Sequence, residues 1–157
     1  MKKPILILLV LFGLSSLAQA QSSSIGLRLG VLSLVSVVYG YDFEAQNRGF
    51  GVKAFVSGVA VVGFGGAAPL AVVAGLEGIY RFAIGDFGSS LQLGLGASAG
   101  IYGVNLIILA YLQLGIELAL GSGWSLTLEA KPLNWLYITQ FRASPFPSFS
   151  LGVNYRF

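Results

Sequence analysis

The last ten residues, SFSLGVNYRF (Ser148 to Phe157), decide the fold. Phe149, Leu151, Val153, Tyr155 and Phe157 share one parity, and Ser148, Ser150, Gly152, Asn154 and Arg156 share the other. Successive side chains of a strand point to opposite faces. One face of this segment is therefore apolar and ends in an aromatic pair. The other is small, polar or charged.

Seven more stretches alternate in the same way, and turn signals separate most of them. The pattern predicts strands near 24–32, 35–43, 50–60, 71–83, 90–101, 106–120, 124–133 and 148–157. Hydrophobic residues make up 55% of the chain and charged ones only 10%, whereas a soluble domain carries roughly 25% charged residues. Beyond the N-terminal leader no segment reads as a membrane helix, because Gly, Ser or a charge interrupts every apolar run. High apolar content without spanning helices points to the other membrane solution, a closed β-barrel. The expected fold class is all-β: an eight-stranded antiparallel up-and-down transmembrane β-barrel.

The N-terminus reads as a secretory signal peptide. Lys2 and Lys3 precede the apolar run from Pro4 to Leu14, and Ala18-Gln19-Ala20 is a small-x-small cleavage site. Residues 1–20 are set aside as the leader, and 21–157 as a single barrel domain. Without Lys2 and Lys3, the nine basic residues fall to seven against six acidic. There is no basic run, so no nucleic-acid partner is expected.

Taking the apolar parity as outward sorts every strand charge to the inside. Arg28, Asp42, Lys53, Glu77, Arg81, Glu117, Glu129, Lys131 and Arg156 all fall on the inward parity, together with Gln92, Gln113, Thr127 and Asn154. A Lys or Arg facing lipid at the midplane costs about 2–4 kcal/mol, so a bilayer enforces this sorting. The nine ions form the candidate site, a lumen network of five cations and four carboxylates. Pairing offsets the desolvation cost that each would carry alone. Toward the opposite end, Val38, Phe55, Val59, Tyr102, Leu109 and Tyr111 line a candidate apolar mouth pocket suited to a small hydrophobic ligand. Close packing is the competing expectation for these side chains, since eight-stranded lumens fill themselves.

The connections fall into two sets. EAQNRG (44–49), GDFGS (85–89) and GSG (121–123) carry polar turn chemistry. The other set lies around Ser33-Leu34, GFGGAAPL (63–70), YGVN (102–105) and TQFRASPFP (139–147). An even number of strands puts the two sets at opposite ends, with both termini at the polar-turn end. Tyr41, Phe43, Phe50, Tyr80, Phe82, Trp124, Tyr155 and Phe157 all lie near that end, which predicts a one-sided aromatic girdle at the membrane interface.

The closing Tyr155-Arg156-Phe157 resembles the C-terminal signal of bacterial outer-membrane barrels. The run LGIELALGSGWSLTLEAK, Leu114 to Lys131, resembles the hairpin before the last strand in the OmpA/OmpX-type family. The resemblance implies an outer-membrane address, lipid as the surrounding partner, and recognition of Tyr155 and Phe157 by the barrel-assembly machinery. In that family the outer connections are often long and polar. Here they are short and apolar, which argues against an adhesin-like loop role.

The chain has neither His nor Cys. Ser-His-Asp triads, Cys-His pairs and ordinary zinc sites are thereby excluded, and no cofactor or metal is expected. Gly96-Ala97-Ser98-Ala99-Gly100 satisfies G-x-S-x-G, but a nucleophile elbow requires a strand-turn-helix setting and a His base. Gly94, Gly96, Ser98 and Gly100 read instead as small inward residues that leave room in the lumen. The leading expectation is a non-enzymatic structural or envelope barrel whose lumen is closed by charge. Its alternatives are a binding or uptake barrel for a small hydrophobic molecule or lipid, and a soluble periplasmic barrel with the apolar parity inward.

Overall fold

A computed structural model describes residues 22–31, 33–44, 48–60, 70–85, 88–102, 105–138, 141–142 and 146–157. The leader segment 1–20 and its cleavage site lie outside the described residues. The strands are β1 (Ser22–Gly30), β2 (Ser33–Asp42), β3 (Gly49–Ala60), β4 (Leu70–Ile84), β5 (Ser89–Tyr102), β6 (Asn105–Gly121), β7 (Trp124–Ile138), β8 (Phe141–Arg142) and β9 (Phe146–Arg156). Each pairs antiparallel with its neighbour in sequence from β1 to β7. The short β8 and the long β9 both pair with β7 and together make the eighth wall strand. The sheet closes where β9 meets β1, from Ser24 opposite Arg156 to Gly30 opposite Ser150. The molecule is an eight-stranded antiparallel up-and-down barrel.

Alternation along each strand builds the two surfaces. Ile25, Leu27 and Leu29 of β1 are about half exposed, while Arg28 between them is 4% exposed. Leu91, Leu93 and Leu95 of β5 face out, and Gln92 and Gly94 face in. The result is an apolar exterior around a polar interior, the reverse of a soluble protein. A lipocalin-like arrangement with the apolar parity inward is therefore not what this sheet forms.

Tight turns need backbone conformations that side chains resist. Gly121, Ser122 and Gly123 between β6 and β7 all have positive φ, at 93°, 52° and 82°. Two glycines flanking one serine are the composition such a turn demands. Small residues also make room inside. A Cβ at Gly96 would collide with the ring of Tyr111. The G-x-S-x-G segment lies wholly within β5, with no helix following it.

β7 departs from the expected span. It runs on to Ile138 instead of ending at 133, and the cause is a bulge at Pro132. Against β6, Leu112 and Leu114 oppose Leu133 and Ala130; against β9, Lys131 and Asn134 oppose Ser148 and Phe146. In both ladders β7 has one residue too many. Pro132 and Leu133 are consequently both exposed, and Asn134 turns inward. Asn134 Nδ2 donates to the Lys131 carbonyl at 2.8 Å and to Ser148 Oγ at 3.1 Å, across the bulge. Two consecutive outward residues broke the alternation, so the sequence pattern stopped there.

The bulge also corrects the one-sided girdle. Beyond it Trp135 and Tyr137 face outward, 44% and 40% exposed, at the end opposite the polar turns. The turn-end ring is present too, with edge-on contacts between Tyr41 and Phe43, Phe50 and Tyr80, and Tyr80 and Phe82. Aromatic side chains thus mark both rims. Within the expected connection 139–147, Phe141, Arg142, Phe146 and Pro147 belong to strands.

Candidate functional site in the barrel lumen

The nine lumen ions form two groups stacked along the barrel axis. Nearest the polar turns, Asp42 of β2, Arg81 of β4, Glu117 of β6 and Arg156 of β9 make a ring of alternating charge. Arg81 pairs with Asp42 through Nη1, and its Nε lies 3.4 Å from Glu117 Oε2. Arg156 Nη2 reaches Glu117 at 3.1 Å and Asp42 at 3.5 Å, completing the ring. The glycine at 51 lets the Asp42–Arg81 pair cross the wall, since a Cβ there would sit 2.6 Å from Asp42 Oδ1 and 2.8 Å from Arg81 Nη1. Neutral partners fill the remaining acceptor sites: Ser125 Oγ donates to Glu117 at 2.7 Å, and Gln92 Nε2 donates to its other oxygen at 2.5 Å.

At mid-height Arg28 of β1 is clamped between two carboxylates. It donates to both oxygens of Glu77, at 2.8 and 3.1 Å. Its Nε and Nη2 each lie 2.9 Å from an oxygen of Glu129. Planar guanidinium suits this double bidentate role, which an ammonium cannot fill. Lys53 Nζ approaches Glu129 at 3.2 Å and donates to Gln92 Oε1 at 3.1 Å, so Gln92 links the two groups. Lys131 Nζ lies 3.5 Å from Glu77, and Tyr111 Oη donates to the same carboxylate oxygen at 2.6 Å. Ser150 Oγ donates to Glu129 at 3.2 Å.

All the ions except Arg156 are nearly excluded from solvent. Removing charges from water is costly, and only tight mutual pairing with satisfied hydrogen bonds offsets that cost. The network is tightly paired, with only Arg81 Nε and Arg156 Nε of its charged groups lacking a hydrogen bond among the described residues, and its members come from β1, β2, β3, β4, β6, β7 and β9. A register slip of one residue on any of these strands would send an ion into the outer face. The charges therefore specify the alignment of the wall as well as the content of the lumen.

Above the ions the lumen turns apolar. Val38, Phe55, Val59 and Tyr111 are buried and pack with Ala71, Val73 and Ile107; Leu109 packs against this cluster from its edge. Lys131 Nζ lies at the boundary, 4.0 Å from the Tyr111 ring centroid and 6.0 Å from that of Phe55. The backbone of Tyr102 pairs with Asn105 at the end of β5, and its side chain lies outside the described part of the structure. A groove of about 550 Å³ is lined by the outward-facing Val37, Tyr39, Ala54, Val56, Ala74 and Leu76, with Phe55 and Gly75 between them.

Tyr155 and Phe157 sit on the closing seam. Phe157 exchanges backbone hydrogen bonds with Ser23, N–H to O at 2.8 and 3.0 Å. Trp124, Tyr155 and Phe157 form a row of rings with centroids 5.0 and 6.5 Å apart.

With this geometry in hand, comparison with known proteins adds one likeness. The sequence matches no family model and no curated protein. Among solved structures, Neisserial surface protein A superposes with a TM-score of 0.55 at 13% identity, over 87% of this chain and 95% of that one. What the two share is the fold. At that identity the shared barrel carries no statement about ligands or activity.

The neutral groups that complete the ion network were less legible than the ions themselves. Ser125 and Ser150 lie on the inward parity, so alternation alone marks them. Alternation does not mark Asn134, whose orientation depends on the bulge at Pro132 before it.

Proposed function

We propose that the chain is a small integral outer-membrane barrel with a non-enzymatic, structural role in the envelope, its lumen closed by the charge network. One observation carries this reading: the barrel is inverted, with paired ions within and, among the residues whose side chains are described, an apolar wall without. Only a hydrocarbon surround makes that partition favourable. The fold shared with Neisserial surface protein A supports the same setting. Outer-membrane lipid is then the principal partner, and the barrel-assembly machinery acts on the closing strand with Tyr155 and Phe157. The tightly packed apolar cluster favours a filled lumen over a ligand pocket at the mouth.

The test is cell fractionation followed by SDS electrophoresis with and without boiling, and conductance of the purified protein in planar bilayers. The reading expects an outer-membrane band whose mobility shifts on heating, and no steady open-pore current. A soluble, unshifted protein refutes the membrane setting. A stable ohmic conductance refutes the closed lumen.

A further inference from the structure

The lumen charges do not balance, and the imbalance has a location. The ring nearest the polar turns is neutral, with Arg81 and Arg156 against Asp42 and Glu117. The surplus lies at mid-height, where the close ion pairs of Arg28, Lys53 and Lys131 are all with Glu77 and Glu129 among the described residues. A net charge held inside a wall surrounded by hydrocarbon is strongly disfavoured.

Gln113 supplies the second observation. It is 1% exposed, and neither Nε2 nor Oε1 of its side chain has a hydrogen-bond partner. A buried amide left unpaired is strongly disfavoured. On β6 it lies opposite Gly94, over which Ile79 Cγ2 packs, 3.0 Å from where a Cβ would sit. Toward β7 it falls between the Leu112–Leu133 and Leu114–Ala130 pairs, opposite the bulge that carries Lys131. Tyr111, the next inward residue on β6, has its ring under the Lys131 ammonium at 4.0 Å. An amide donor and the most weakly paired cation thus come from neighbouring inward positions.

We propose that the mid-lumen holds a small monovalent anion of the halide class between Lys131 and Gln113. The ammonium and the Gln113 amide N–H both donate, as an anion requires. Water would satisfy the amide but leave the charge, and a divalent anion would overshoot neutrality. A single halide matches the surplus of one.

The probe is bromide. Unfolding of the purified barrel in phospholipid vesicles is followed in sodium bromide and in sodium gluconate at equal ionic strength. Bromide at ten times its dissociation constant raises the folded-to-unfolded ratio about tenfold. Lys131→Met, which removes the surplus cation, abolishes the difference between the two salts. Gln113→Glu, which builds a carboxylate into the same place, abolishes it too and is more stable than the parent in gluconate. The proposal is overturned by a parent protein indifferent to bromide, or by a difference that persists in both variants. A Gln113→Glu protein that misfolds or is less stable than the parent in gluconate overturns it as well.

Discussion

Substituting Glu77 by Gln is the sharpest perturbation of the lumen. Glu77 is 1% exposed and receives Arg28 through two hydrogen bonds, Tyr111 through one, and Lys131 at 3.5 Å. The amide keeps the volume and removes the charge. Arg28 and Lys131 then remain buried with Glu129 as the single mid-height carboxylate. Breaking one partner out of a buried pair costs about 3–5 kcal/mol, which is two to four decades in the folded ratio at about 1.4 kcal/mol each. Urea unfolding in phospholipid vesicles, read by the fluorescence of Trp124 and Trp135, measures the loss. Arg28→Met on the same background completes a double-mutant cycle. The double variant is expected to lose much less than the two single losses combined, because each single change strands the other's charge. A loss below about 1 kcal/mol, the range of an exposed pair, would refute the reasoning. So would strict additivity.

Three further outcomes follow from the same structure. Leu128→Lys, on the outer face well inside the apolar band, destabilises the inserted barrel by about 2–4 kcal/mol, whereas Leu118→Lys near the polar turns costs about 0–1 kcal/mol; paired vesicle unfolding curves check the contrast. Gly96→Val drives a side chain into the Tyr111 ring and costs about 1–3 kcal/mol of overpacking, read by the same assay. Removing Phe157 lowers the yield of outer-membrane protein in cells while leaving refolding into vesicles largely intact; equal cellular yield removes the assembly role assigned to that residue.

The strand pattern was legible because one rule governs it. With apolar side chains outside and ions inside, each residue of a wall strand is sorted by parity, and Arg28 between Leu27 and Leu29 shows the rule at its plainest. Parity also marks which ions share the lumen, though not which pair with which. That Arg28 clamps both Glu77 and Glu129, 49 and 101 residues away, depends on the stagger of all eight wall strands. Parity fails where the backbone inserts a residue. The bulge at Pro132 hid the last residues of β7, with the inward Asn134 and the outward Trp135 and Tyr137. Proline was the available signal, since it lacks the N–H that a ladder needs and is tolerated at bulges. The packing of the mouth was undecided in the sequence because apolar side chains suit a filled core and an apolar pocket equally.

The central claim is the partition between lipid and lumen, and spin labelling measures it directly. Single nitroxides placed in turn at residues 90 to 96 of β5 and 113 to 119 of β6 report exposure to oxygen dissolved in the bilayer. The account predicts a period of two, with Leu91, Leu93, Leu95, Leu114, Ile116 and Leu118 accessible and Gln92, Gln113 and Glu117 shielded. Oxygen accessibility at Gln92 and Glu117 equal to that of their leucine neighbours would contradict it.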